Sequence, residues 1–175
     1  MNTFSLNGKW QLIAACVEKN PSVKTGDSFL INMPGDVHSA LLDANKINDP
    51  YYGKQETESL WVGKSDWTIQ RKFDWSKQDG HTILKLSKVD TIATLYINNN
   101  LVGKMDNEHL SYFFDISDYL TDGENEIKFE FESAEKVAKE RAKQLSYPIP
   151  CPKFSIESEN SNLVRKAQSD AGSSF

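Results

Sequence analysis

The middle of the chain alternates between apolar and polar residues, the pattern of strands that bury one face. In "DWTIQRKFDW", Trp67, Ile69 and Phe73 fall on one side, together with one arginine, and polar residues fall on the other. Roughly seven or eight short strands separated by turn-forming residues favour an antiparallel β-sandwich. The predicted strands lie in KWQLIAA, SFLINM, DWTIQRKFDW, TILKLS, TIATLYI, NLVGKM, SYFFDIS and NEIKFEFES.

One of these pairs is predicted to be a hairpin. Ala93, Leu95 and Ile97 alternate with polar residues before three successive asparagines, 98–100. Asparagine tolerates positive φ, which tight hairpin turns require. The strands on either side should therefore pair directly.

Two short helices are predicted at the periphery. Asp36 is a candidate N-cap for "DVHSALLDAN", whose apolar residues recur at helical spacing. Ser133–Leu145 is rich in strong helix formers, and Ser133 is its candidate N-cap. Val137, Arg141 and Leu145 mark a thin apolar stripe, which indicates a surface helix. The apolar positions of the first helix are Val37, Ala40, Leu41 and Ala44.

The last 30 residues lose this periodicity. Prolines at 148, 150 and 152 favour an extended course, and an unstructured run of this length is unusual inside a compact domain. We therefore predict a β-sandwich domain at 1–146 and, at 147–175, an extended tail leading toward a further domain, its final strand incomplete.

Composition excludes several classes of function. The 20 basic and 25 acidic residues give a net charge of −5 and are mixed along the chain, which argues against a nucleic-acid partner. No apolar run is long enough to span a membrane. Cys16 and Cys151 are predicted to be unpaired thiols. The chain as given is expected to be cytoplasmic; a removed signal peptide would place it in the periplasm or outside the cell.

The chemistry-bearing residues form no recognisable active site. The acidic residues lack the apolar setting that would separate the pKa values of a carboxyl pair, and the three histidines lack metal-ligand spacing. We predict no catalytic residue, no metal site and no cofactor. His38 is expected to have a polar or interface role. Tyr51, Tyr52 and Trp61 lie in non-periodic segments and are candidates for a contact surface, with a packed loop as the equal alternative.

Five segments, in this order, carry a resemblance to a known family: LNGKWQL, MPGDVHSALLDANKINDPYYGKQE, LWVGKSDWTIQRKF, VDTIATLYINNNLVGKMDN and LVRKAQ. The chain resembles the N-terminal domain of β-mannosidases of glycoside hydrolase family two. The resemblance implies a jelly-roll (galactose-binding-like) β-sandwich, often called the sugar-binding domain.

The resemblance also implies a larger enzyme. In that family two glutamates on a later (β/α)₈ barrel perform retaining hydrolysis of terminal β-mannosides, and a barrel needs about 250 residues. The expected partners are therefore this barrel and, through it, a β-mannoside. The segment from Met33 to Gly53 is expected to pack against the barrel. Candidate interdomain or sugar-proximal residues are His38, Tyr51, Tyr52, Trp61, Arg165 and Gln168.

The end of the chain departs from the family pattern. Where the family shows Gly-Trp-Asp-Trp, whose Trp and Asp reach the sugar, Gly172 is followed by Ser173, Ser174 and Phe175. Those contacts are not transferred to this chain. Three hypotheses stay open: an accessory domain of a β-mannosidase-like enzyme that is inactive alone, a free-standing carbohydrate-binding module, and an interaction domain without sugar affinity.

Overall fold

The computed structural model describes residues 3–19, 22–77, 80–149 and 163–166, and within them the chain is built mainly from strands. Each strand coincides with a segment predicted from alternation. The strands are β1 (Gly8–Cys16), β2 (Ser28–Met33), β3 (Asp66–Trp75), β4 (Ile83–Leu86), β5 (Ile92–Ile97), β6 (Asn100–Met105), β7 (Tyr112–Asp115) and β8 (Gly123–Glu132).

These strands form two antiparallel sheets. The larger sheet has the order β2-β1-β3-β8-β5-β6, and the smaller one pairs β4 with β7. A two-residue turn joins β5 to β6, a longer connection joins β1 to β2, and β8 inserts between β3 and β5. The predicted all-β antiparallel sandwich is confirmed.

One face of the larger sheet is continuously apolar. Leu12 of β1 lies opposite Ile69 of β3, which lies opposite Phe129 of β8, and Phe129 in turn faces Leu95 of β5. All four are buried. The opposite face is polar, because the side chains of each strand alternate between the two sides.

Two different structures cover this apolar face. The smaller sheet contributes Leu84 and Phe114, and a segment between β2 and β3 contributes Leu41 and Trp61. The fit of the smaller sheet is close: a Cβ at Gly103 would lie 2.3 Å from Phe114 Cε1. The core thus lies between one six-stranded sheet and a mixed layer of strands and helices.

The hairpin between β5 and β6 has the predicted turn. Asn98 and Asn99 have φ angles of 50° and 63°, and Asn100 is already the first residue of β6. Asparagine is among the few residues that adopt this region readily.

The helices agree with the predictions in part. Asp36 Oδ1 accepts from Ser39 N at 3.0 Å, and Ser133 Oγ accepts from Lys136 N at 3.3 Å, so both predicted N-caps are confirmed. The last helix lies at the surface as predicted: Val137 and Arg141 are half-buried, Leu145 is exposed, and the buried residue is Ala138. A further short helix was not predicted. The helices are α1 (Val37–Asp43), α2 (Gln55–Ser59) and α3 (Ala134–Lys143), with a 3-10 helix at Ser117–Tyr119.

The predicted domain boundary after residue 146 stays a prediction, since most of 147–175 lies outside the described residues. Cys151 also lies outside the described residues, whereas Cys16 is an exposed free thiol. Within the described residues, no helix combines the length and apolar character needed to cross a membrane.

Candidate functional site

Exposed apolar side chains lie at the end of α1 and in the loop that follows it. Tyr51 and Tyr52 keep 99% and 79% of their surface exposed, and Leu42 keeps 39%. The two tyrosines bury little of their surface within the described residues, and Leu42 buries more. They are therefore available to a second surface, and we call Leu42, Tyr51 and Tyr52 the apolar ledge.

The backbone that carries the apolar ledge is held by local hydrogen bonds. Lys46 N donates to Leu41 O at 2.8 Å, directly after α1. Asn48 Nδ2 donates to Gln55 Oε1 at 2.9 Å, which ties the loop to α2. Asp49 Oδ1 accepts from Tyr51 N at 2.9 Å. These bonds restrict the turn, so the tyrosines project from a shaped loop.

His38 lies in the first turn of α1 as an exposed residue. Partial enclosure of its imidazole lowers its pKa, the carboxylate of Asp36 acts against this, and the positive charge of Lys166 lowers the pKa further. Burial alone would raise the pKa of Asp36, but hydrogen bonds from Ser39 bring it below its ordinary value. The charge of Lys166, a residue more than a hundred positions away, therefore acts on His38.

Lys166 belongs to the segment Leu163–Lys166, which is bonded to the loop after β6. Arg165 pairs with Asn107 in a parallel bridge, and Glu108 N donates to Arg165 O at 2.8 Å. Arg165, one of the predicted site residues, is thus attached to the loop after β6. Gln168 lies outside the described residues.

Trp61 does not share the exposed surface of the two tyrosines. Only 8% of it is exposed, and its ring lies 6.1 Å from that of Trp67 in the core. Lack of periodicity suggested a contact residue, but Trp61 instead helps cover the larger sheet. Tyr51 and Tyr52 are exposed as predicted, and their functional role stays a prediction.

One buried carboxylate escaped the sequence analysis. The side chain of Glu108 is 4% exposed, and Lys88 Nζ lies 2.7 Å from its Oε1. The hydrogen bond and charge of this carboxylate raise the pKa of Lys88. No motif marks Glu108, because its burial results from residues distant in sequence.

No group of three His, Cys, Asp or Glu side chains in the described ranges could hold a metal ion. An open depression of about 430 Å³ between β5, β6 and α3 includes Asp106 and Glu132 in its lining. Both of these carboxylates are exposed.

Comparison with known families decides the membership of the chain. Residues 10–174 match the model of the glycosyl hydrolase 2 galactose-binding domain-like family. The chain belongs to this family. The membership confirms the resemblance carried by the Asp-Pro-Tyr-Tyr-Gly segment and its neighbours, and it agrees with the observed sandwich.

Curated relatives of this family member are β-mannosidases. A probable β-mannosidase of Caenorhabditis elegans is 34% identical over 145 residues, which are 78% of this chain and 16% of that protein. The β-mannosidase of Mus musculus is 33% identical over 180 residues, 95% of this chain and 19% of that protein. The chain therefore spans less than a fifth of the length of these relatives.

Solved structures support the same fold. The β-D-mannosidase of Dictyoglomus thermophilum superposes with a TM-score of 0.80 at 32% identity, covering 89% of this chain and 18% of that chain. An exo-chitosanase of Amycolatopsis orientalis gives a TM-score of 0.62 at 19% identity over 75% of this chain and 17% of that one. The second likeness concerns the fold alone.

Proposed function

We propose that this chain is the accessory β-sandwich domain of a β-mannosidase-like glycoside hydrolase. The observation that carries the proposal is the family match over residues 10–174, joined to β-mannosidase relatives of which the chain spans less than a fifth. In this proposal the parent enzyme hydrolyses terminal β-mannosides with retention, and the catalytic glutamates lie on a (β/α)₈ barrel outside these residues.

The apolar ledge supports a contact with that barrel. Interfaces between domains of one chain bury mixed polar and apolar surface, and exposed aromatic side chains are enriched in such contacts. Tyr51 and Tyr52 lie on a loop fixed by hydrogen bonds, which lowers the entropy lost when a partner surface binds. The sandwich would then buttress the substrate pocket of the barrel without touching the bond that breaks.

The test is reconstitution with an aryl β-mannoside as substrate. We expect no turnover from the purified chain alone, and we expect it to bind the barrel-bearing part of the parent enzyme, expressed without residues 1–175, and to raise its activity. Replacing Tyr51 and Tyr52 by serine should weaken this binding by tenfold or more, since central aromatic contacts contribute about 2 kcal/mol or more.

The matched control is Tyr147→Ser, which removes a tyrosine that is 66% exposed elsewhere on the chain. Turnover by the isolated chain would contradict the proposal. So would a barrel-bearing part that is fully active alone and does not bind the chain.

A free-standing carbohydrate-binding module is the second candidate, favoured by the exposure of both tyrosine rings. Aromatic rings present an apolar face to the C–H side of a pyranose. Calorimetric titration with mannose and manno-oligosaccharides separates the two functions. A flat titration leaves the accessory domain, whereas saturable binding that disappears in Tyr52→Ala establishes the module.

A further inference from the structure

The segment Leu163–Lys166 is held from three separate parts of the sandwich. Arg141 Nη1 of α3 donates to Leu163 O at 2.8 Å. Glu108 N, in the loop after β6, donates to Arg165 O at 2.8 Å. Lys166 forms an ion pair with Asp90, just before β5. Three contacts on four residues restrict the segment far more than one would.

The parts that hold the segment are themselves fixed. Tyr112 Oη, on β7, accepts from Asn107 N at 2.9 Å and donates to Asn107 O at 3.0 Å. The buried carboxylate of Glu108 is paired with Lys88. Arg141 Nη2 lies 3.4 Å from Asp106 Oδ2, so one guanidinium joins α3, the loop and the segment.

The result is an exposed cation on a restrained backbone. Arg165 is exposed although its backbone is bonded, and the charge of Lys166 reaches His38 in α1. A charged side chain on a fixed backbone loses less entropy on binding than one on a mobile tail. A guanidinium in this position suits a carboxylate on a partner surface, which it can bind through two parallel hydrogen bonds.

We infer that Arg141, Glu108 and Asp90 clamp Leu163–Lys166 to the sandwich, and that this clamp positions the guanidinium of Arg165 to bind a carboxylate of the partner barrel domain. The docking half rests on the proposed function. The clamp itself is a property of this chain and is tested on it alone.

The amide of Glu108 reports the clamp, because its acceptor belongs to the held segment. Hydrogen exchange is followed by NMR in the unmodified chain, in Arg141→Ala and in the matched control Lys143→Ala, which removes one positive charge from the same helix. We expect Glu108 to exchange about tenfold faster in Arg141→Ala only, the ratio expected for losing one charge-assisted hydrogen bond.

The amide of Asn98, bonded to Glu126 O in the hairpin, should keep its protection and so show that the fold is intact. Lys166→Gln removes the third contact without touching α3 and should also speed exchange at Glu108. Unchanged exchange at Glu108 in both Arg141→Ala and Lys166→Gln would overturn the clamp.

Docking is measured as the affinity of the chain for the barrel-bearing part. We expect Arg165→Gln to weaken binding about tenfold, and Lys72→Gln, which removes an exposed lysine of β3, to leave it unchanged. Equal affinity of the unmodified chain and Arg165→Gln would overturn the inference while the proposed function stands. No binding by the unmodified chain would overturn the proposed function and the docking half together.

Discussion

Two structures lie over the apolar face of the larger sheet. One is the smaller sheet, β4 and β7, which we call the strand cover. The other is the segment between β2 and β3, which we call the helical cover. The strand cover fits by close approach, with Phe114 against the bare Cα of Gly103. In the helical cover, the side chain of Leu41 on α1 is fully buried. Stability should therefore fall when volume is added under the strand cover and when volume is removed under the helical cover.

The covers also differ in what they leave outside. The strand cover exposes two apolar residues on regular strands, Ile83 at 50% and Phe113 at 62%. The helical cover continues into the apolar ledge, where two tyrosines are adjacent and held by a shaped turn. The cover that departs from regular strand geometry is thus the one that carries the candidate contact surface, as loops commonly do.

The largest effect is expected for loss of volume under the helical cover. Leu41→Ala should lower the free energy of unfolding by about 3 kcal/mol, because a fully buried leucine leaves a cavity. Urea unfolding measures the change. The matched control is Leu42→Ala on the same helix, which should cost less than about 1 kcal/mol, since Leu42 is partly exposed. Equal costs for both variants would contradict the assigned depth of Leu41.

Added volume under the strand cover should have a smaller effect. Gly103→Ala should lower the free energy of unfolding by about 1–2 kcal/mol, because the new methyl group displaces the ring of Phe114. Gly63→Ala is the control, since its Cβ would lie 3.9 Å from the nearest atom, Leu60 O. In a double-mutant cycle, Phe114→Leu should reduce the cost of Gly103→Ala. Strict additivity would show that the two residues do not meet.

The smallest effect is expected at acid pH, at the end of the strand cover. Hydrogen bonds from Ser117, and then from His81, lower the pKa of Asp115 from 3.8 to about 2. Because this pKa is lower in the folded state, the contribution of Asp115 to stability is present above its unfolded value and is lost as the pH falls through about 2.

Carboxyl chemical shifts followed by NMR give the midpoint directly. Ser117→Ala should raise the midpoint of Asp115 toward its unfolded value, because the largest of its hydrogen bonds is lost. A midpoint near 3.8 in the unmodified protein would contradict the hydrogen bonds assigned to Asp115.

The two covers also differ in how well the sequence predicted them. The strands β4 and β7 were predicted from alternation, whereas α2 was missed because its five residues, Gln55–Ser59, carry no apolar period. Trp61 was assigned to the surface on the same ground and is buried. A short helix is stabilised mainly by the packing around it, so its own residues hold little signal.

The sequence by itself determined the local structures: the strands, the asparagine turn, and the N-caps Asp36 and Ser133. Each depends on contacts within a few residues, so a local pattern suffices. Only the tertiary structure decided that Trp61 is buried, that Glu108 is enclosed, and that Leu163–Lys166 meets α3. The contacts of Glu108 and of Leu163–Lys166 join residues tens of positions apart, and they stabilise the protein only after the sheets have formed.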